Sequence, residues 1–218
     1  MALIELHHMG VTRGGQEILR DVNMMVDKGE MVTITGPSGG GKSTLVRVIA
    51  SLMSETSGEV RYDGKQVAEY DPVMYRRRVS YSMQQPTLFG DSVRDNLAFP
   101  YDIRKVTFDE KRAIEGLEAV KLPGDYLDKP VDELSGGERQ RVALLRNVMF
   151  HPETLILDEV TAGLDSANKD VVHDIIKMFN ETDHITILMV THDQEEITAA
   201  NRLLQVEAGR IISGGELV

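Results

Sequence analysis

Residues 36–43 read Gly-Pro-Ser-Gly-Gly-Gly-Lys-Ser, a glycine-rich loop closed by a lysine and a hydroxyl. The spacing suits phosphate. Glycines let the loop curl so that successive backbone N–H groups point inward at an anion. Lys42 adds a point charge for the β- and γ-phosphates of a nucleotide, and Ser43 offers its hydroxyl to Mg²⁺. A helix beginning at this point would aim its positive end at the same anion. Gly36, Pro37, Ser38, Gly39, Gly40, Gly41, Lys42, Ser43 and Thr44 therefore form the expected phosphate-binding segment.

Other residue types complete a hydrolytic set. Leu155-Ile156-Leu157-Asp158-Glu159 puts two carboxylates where an apolar run ends. Asp158 would hold Mg²⁺, directly or through its water. Glu159 would orient and polarise an attacking water, with general-base action as a further role. Standing alone, Asp-Glu after an apolar run also suits a surface turn; the glycine loop upstream favours chemistry. His192, in Thr191-His192-Asp193 after another apolar run, could bond a γ-phosphate and help hold the water. Gln84 follows residues 79–83, and an amide there can complete a Mg²⁺ shell or bridge to the water. The adjacent Gln85 leaves the register open, with Gln84 preferred.

Positioning these groups requires strands. Met31-Val32-Thr33-Ile34-Thr35 is short, apolar and partly β-branched, so it reads as a buried strand, and residues 44–50 then carry helical spacing. Strand, glycine loop, helix is the order a phosphate cradle needs. Residues 154–158 and 185–190 read as two further buried strands, and residues 79–83 as another. Near-continuous apolar strands separated by helices imply a parallel sheet covered on both faces. Residues 3–6 and 21–27 are expected as strands around a turn at Arg13-Gly14-Gly15, residues 58–67 as a hairpin turning at Tyr62-Asp63-Gly64-Lys65, and residues 202–212 as a closing strand pair. Between about Gln85 and His151, prolines punctuate polar, helix-prone stretches such as residues 108–120. The expected class is α/β: one unit over residues 1–218, with a core at 1–84 and 152–218 and an inserted helical subdomain at about 85–151.

Composition bounds the rest. The net charge is −11, which argues against a broad nucleic-acid surface, so no nucleic-acid partner is expected. There are no cysteines, which removes disulfides, thiolate metal sites and cysteine nucleophiles. The first residues lack the charged and apolar regions of a signal peptide, and no apolar run approaches the roughly 20 residues a bilayer span needs. Any membrane role is expected to come through a partner.

Residues 134–141 read Leu-Ser-Gly-Gly-Glu-Arg-Gln-Arg. With Gly36–Ser43, Gln84, Leu155–Glu159, Leu164-Asp165 and His192, this chain resembles an ABC-type ATPase over essentially its whole length. The resemblance implies a P-loop NTPase core with a mainly parallel sheet flanked by helices, an N-terminal antiparallel β subdomain and the helical insertion. It implies ATP and Mg²⁺ as cofactors and a head-to-tail homodimer on ATP binding. Each nucleotide would lie between one chain's P-loop and the other's signature, Ser135, Gly136, Gly137 and Glu138, with Asp165 in the loop that crosses the dimer. The signature also has a physical reading. Ser135 can cap the helix beginning at Gly136-Gly137, forming a second anion site. Two phosphate sites on one chain that cannot both reach one γ-phosphate call for a second copy. The resemblance further implies a separate polytopic permease subunit, placing the chain in the cytoplasm, peripheral on the inner face of the membrane. Residues 85–97, Leu157-Asp158-Glu159-Val160-Thr161 and the short length look similar to small FetA-type ATPases linked to metal, in particular iron, export. Rival readings are an importer ATPase for phosphate or amino acids, a non-transport ABC ATPase such as those of iron–sulfur assembly, and a different P-loop enzyme such as a small-molecule kinase.

The chain departs from the family near its start. Relatives usually stack adenine on an aromatic residue some two dozen positions before the P-loop. Here Arg13 falls at that place, with no aromatic nearby. A guanidinium can stack on a planar base, so Arg13 is the expected adenine cover.

Overall fold

A computed structural model describes residues 2–214. Residue 1 and residues 215–218, the two ends of the expected 1–218 unit, lie outside the described residues. β1 (Ala2–Arg13) and β2 (Gln16–Asp27) pair antiparallel, β3 (Met31–Thr35) leads into the glycine loop, and α1 (Lys42–Ile49) follows. Next come β4 (Ser57–Tyr62), β5 (Lys65–Gln66), α2 (Pro72–Arg78) and β6 (Val79–Ser82). A helical stretch holds α3 (Val93–Asp102), α4 (Glu110–Ala119) and α5 (Gly136–Val148). The chain then returns through β7 (Thr154–Asp158), α6 (Ser166–Glu181), β8 (Thr186–Val190), α7 (Gln194–Thr198), β9 (Leu203–Glu207) and β10 (Arg210–Ser213).

Two sheets result. One is four-stranded and antiparallel, in the order β2-β1-β4-β5. The other is six-stranded, β10-β9-β3-β8-β7-β6, parallel throughout except for the edge strand β10. The interior strands β7 and β8 are buried at every position, as their near-continuous apolar character requires. Their side chains alternate between two cores. Ile156, Leu188 and Val190 join the cluster shared with α1 and the antiparallel sheet, whereas Leu155, Leu157, Ile187 and Met189 join the cluster shared with α3 to α6. Polar ties stitch the layers: the Tyr62 hydroxyl lies 2.9 Å from Thr154 Oγ1, and Arg78 forks onto Glu153 at 2.7 and 2.8 Å.

The first hairpin is longer than residues 3–6 and 21–27. Its register shifts, and His8 and Asp21 adopt φ of 49° each. Asp21 Oδ1 sits 2.7 Å from His8 Nδ1, and Asn23 accepts from the His8 N–H. Such bulges break the apolar–polar alternation from which strand length is read. α1 also begins two residues before the expected helix, at Lys42. Among the described residues no helix is long and apolar enough to cross a membrane.

Candidate active site

The parallel neighbours β3, β8, β7 and β6 bring their carboxyl ends to one sheet edge, where open α/β sheets bind ligands. Register sets the order along that edge: Ile34 pairs with Val190, Val190 with Asp158, and Leu157 with Ser82. The segments that leave these strands therefore carry, side by side, the glycine loop, His192, Asp158-Glu159 and Gln84.

A cavity of about 710 Å³ is lined by Ile18, by Gly36, Pro37, Ser38, Gly39, Gly40, Gly41, Lys42, Ser43 and Thr44, and by Glu159 and His192. Gly36 has φ of 139°, and a Cβ there would stand 1.9 Å from the Val206 carbonyl oxygen, so the loop crosses β9 at a distance that only glycine permits. Lys42 is buried, and its ammonium donates to the Gly36 and Pro37 carbonyls at 2.7 and 3.0 Å. The loop thus pre-forms around its own lysine, with the start of α1 behind it.

Glu159 leaves β7 with φ of 55°, a left-handed conformation that costs a non-glycine residue about 1 to 3 kcal/mol. Its N–H donates to the Val190 carbonyl at 3.0 Å, and its Oε1 lies 3.1 Å from His192 Nδ1. The two expected hydrolytic residues are therefore partners. Asp158 is buried and has a protein donor on each oxygen: Ser43 Oγ reaches Oδ1 at 3.2 Å and the Tyr81 hydroxyl reaches Oδ2 at 2.5 Å. Burial, with the Asp158 contact behind it, pushes the Tyr81 phenol up to about 12, so it stays a protonated donor at neutral pH. Gln84 and Gln85 are both exposed and both line an adjoining cavity with Ser43, Tyr81, Asp158 and Glu159, so the register between them stays as open as in the sequence.

The signature is built as a helix start. Ser135 and Glu138 form a capping box: Ser135 Oγ accepts from the Glu138 N–H at 3.3 Å, and Glu138 Oε2 accepts from the Ser135 N–H at 2.7 Å. Glu138 Oε1 also accepts from Tyr126 at 3.0 Å. Burial raises the Glu138 carboxyl, but these hydrogen bonds outweigh it and hold the pKa below the usual glutamate value. Gly136 is exposed, while a Cβ on Gly137 would stand 2.1 Å from Asn168 Oδ1. Asn168 in turn donates through N and Nδ2 to Asp165 at 2.8 and 2.9 Å, and these bonds keep the Asp165 carboxyl below its usual range. Signature and Asp165 loop are thus braced against each other. None of residues 135–138 is among those lining the Lys42 cavity.

Arg13 is exposed at the end of β1 and does not line that cavity; Ile18, on the partner strand, does. Ile18, Tyr81, Asn168 and Arg47, which lines the cavity beside Gln84, are contacts that no motif flags. Tyr81 lies on a strand whose neighbour ends in Asp158, a pairing that no local pattern states.

Comparison with known proteins agrees with this geometry. The family model described as ABC transporter matches residues 19–162, more than half of the chain. "Probable iron export ATP-binding protein FetA" of Escherichia coli (strain K12) is 44% identical over 211 residues, 96% of this chain and 94% of that one. The choline transport ATP-binding protein OpuBA of Bacillus subtilis (strain 168) is 34% identical over 207 residues, 93% of this chain but 54% of that longer protein. Among solved structures, cbiO1 of Clostridium perfringens, part of the ABC transporter complex cbiONQ, superposes with a TM-score of 0.88 at 27% identity, covering 98% of this chain and 88% of that one. The ATP-binding cassette MJ0796, a dimer in a post-hydrolysis state with ADP and Pi, gives 0.85 at 29% identity, covering 99% of each chain. A phosphate cradle, an acid pair and a capped signature on one α/β scaffold, with these relatives over nearly the full length, lead to one conclusion: the chain belongs to the ABC transporter family, as an ATP-binding and ATP-hydrolysing motor subunit.

Proposed function

We propose that two copies of this chain close around two Mg-ATP, each nucleotide held between the P-loop of one copy and Ser135, Gly136, Gly137 and Glu138 of the other, with closure moving a separate membrane permease that exports metal. The carrying observation is the separation within one chain: the cavity at Lys42 has no lining from residues 135–138, while Ser135 caps a helix start in contact with Asn168. A second copy, bringing Asp165 with it, supplies the missing half. Glu138, engaged in the cap, serves by shaping that segment.

In this reading Lys42 and the loop N–H groups hold the β- and γ-phosphates. Glu159 orients a water and takes its proton as the water oxygen bonds to the γ-phosphorus and the bond to the bridging oxygen breaks. His192 steadies Glu159 and the γ-phosphate. Ser43 Oγ and Asp158 Oδ1, oxygens 3.2 Å apart beside the cradle, fit a hard cation, with Gln84 at the same cavity as a further oxygen. Among the described residues no three His, Cys, Asp or Glu side chains converge on a metal position, and Mg²⁺ bound mainly by phosphates and water does not need three. Bound there, Mg²⁺ would neutralise charge on the transferring phosphoryl group.

The membrane contact falls where residues of about 85–151, read as a helical module hinged to a core of 1–84 and 152–218, meet α2 of that core. A groove of about 290 Å³ runs between α2 and α3, with Val73, Phe99 and Ile103 left 59%, 42% and 53% exposed. Arg76, Arg77, Arg104 and Arg146 line it, and Arg76, Arg104 and Arg146 donate to carbonyls or an amide. Burial first, then the neighbouring Arg77, depresses the Arg104 pKa. Apolar exposure among uncompensated cations suits an amphipathic, acidic segment of the permease. Leu88 packs into the helical core, whereas Phe89 is exposed against Phe99, so of that pair Phe89 is the candidate contact. The chain would then sit in the cytoplasm, peripheral on the membrane through that subunit. Iron as cargo rests on the likeness to the Escherichia coli iron-export relative over nearly the whole of both chains.

The deciding experiment is purification of the tagged chain from its host in mild detergent. A polytopic membrane protein in near 1:1 ratio supports the motor reading; soluble partners alone overturn it in favour of a non-transport ATPase. In the same assay Ile103→Asp, exposed and outside both clefts, should lower permease recovery at least tenfold while leaving ATPase activity within twofold. Adenine is covered by Arg13 or by Ile18: Arg13→Ala should weaken ATP binding about threefold if the guanidinium stacks, within the roughly 1 kcal/mol of an exposed cation–π contact. Unchanged affinity in both Arg13→Ala and Arg13→Glu removes Arg13 from the site.

A further inference from the structure

Asp158 is held from two sides, and only one of them belongs to the glycine loop. The second is Tyr81. Its position follows from the sheet: β6 pairs parallel with β7, Tyr81 with Ile156 and Ser82 with Leu157, so Tyr81 lies one strand over and just short of the carboxylate. From there its hydroxyl donates to Asp158 Oδ2 at 2.5 Å, while Ser43 Oγ donates to Oδ1. The Arg47 guanidinium meets the Tyr81 hydroxyl from α1, and that contact raises the arginine's own pKa. Arg47, Tyr81, Gln84, Ser43 and Asp158 all line one cavity.

We infer that Tyr81 is a positioning residue for the metal half of the site: its hydroxyl fixes the plane of the Asp158 carboxylate so that Oδ1 stays with Ser43, and thereby sets how strongly Mg²⁺ tightens ATP binding. This rests on the reading of Ser43 and Asp158 as the Mg²⁺ side of the cradle. A carboxylate buried with one unanswered oxygen turns toward the donor that remains. Without the Tyr81 hydroxyl that donor is Ser43, which would then be shared between both oxygens instead of being aligned with one. The lost alignment weakens metal binding, because partners one shell out from a metal typically carry 10- to 100-fold in affinity or activity. Tyr81 also lies three residues before Gln84, so the same hydrogen bond ties the carboxylate to the segment that runs into the helical module.

The test is the affinity of a fluorescent, non-hydrolysable ATP analogue for the full chain, measured in EDTA and in Mg²⁺; the ratio is the metal's contribution. In wild type Mg²⁺ should tighten binding. Tyr81→Phe keeps the ring and its packing, so the variant should stay folded, with a melting temperature lower by several degrees for the lost buried hydrogen bond, and the EDTA affinity should stay near the wild-type value while the Mg²⁺-dependent gain shrinks about tenfold. A full wild-type gain in Tyr81→Phe overturns the positioning role. A wild type with no Mg²⁺-dependent gain overturns the metal reading beneath it, so the two failures are distinct. Equal weakening in EDTA and in Mg²⁺ also counts against the inference, since it reports a damaged cradle.

Discussion

Lys42→Ala should abolish nucleotide binding at working concentrations, with affinity for ATP falling by two orders of magnitude or more in calorimetry or fluorescent-nucleotide titration. The ammonium is already in place, donating to the Gly36 and Pro37 carbonyls within the loop it serves. Phosphate therefore meets a positioned charge and pays little to organise it. A hydrogen bond to a charged group contributes about 1.5 to 3 kcal/mol, and Lys42 would make more than one to the phosphates, which together correspond to at least 100-fold. The fold should survive, because alanine is favourable in a helix and the apolar residues that α1 buries, Leu45, Val46, Val48 and Ile49, are untouched. A melting temperature near wild type with no binding is the expected pair of results. Retained tight binding would contradict the assignment of the loop as a phosphate cradle.

The same loop illustrates what the sequence carries and what it does not. Gly36 to Ser43 could be read outright because a backbone cradle demands glycine at places where any side chain would collide, here with the Val206 carbonyl. Asp158 and Glu159 were legible because β7 is apolar until it ends. The parallel sheet followed from near-continuous apolar runs in β3, β7 and β8. What escaped were relations between elements. The pairing of His192 with Glu159 depends on β7 and β8 being neighbours, which no local pattern states. Tyr81 and Asn168 act through contacts more than 30 residues distant in the chain, with Asp158 and Gly137. The choice between Gln84 and Gln85 depends on which side chain turns toward the nucleotide.

Glu159→Gln should bind Mg-ATP and barely hydrolyse it, with kcat down by about 100- to 10,000-fold, the range that loss of a positioned acid–base group produces. The substitution is close to isosteric. Its amide can still meet His192 Nδ1, and the backbone bond from residue 159 to the Val190 carbonyl does not involve the side chain. The left-handed backbone at φ 55° is held by that bond and by the burial of Asp158 and Val160 on either side, so the neutral side chain should be aimed where the carboxylate was. What is lost is the ability to accept a proton from water. Hydrolysis is then the blocked step, whereas closure around nucleotide is not, and the closed dimer should accumulate. On size-exclusion chromatography the variant should run as a dimer with Mg-ATP and as a monomer with ADP or EDTA. Gly137→Ala offers the complementary arm: its methyl would meet Asn168 Oδ1, displacing the segment that would reach the partner's nucleotide while leaving the Lys42 cavity intact. Placed in the Glu159→Gln background, it should keep ATP binding to the monomer and lose the trapped dimer. A monomer at saturating Mg-ATP in Glu159→Gln alone would instead count against the sandwich, because with hydrolysis blocked and both sites filled the closed dimer should be the dominant species.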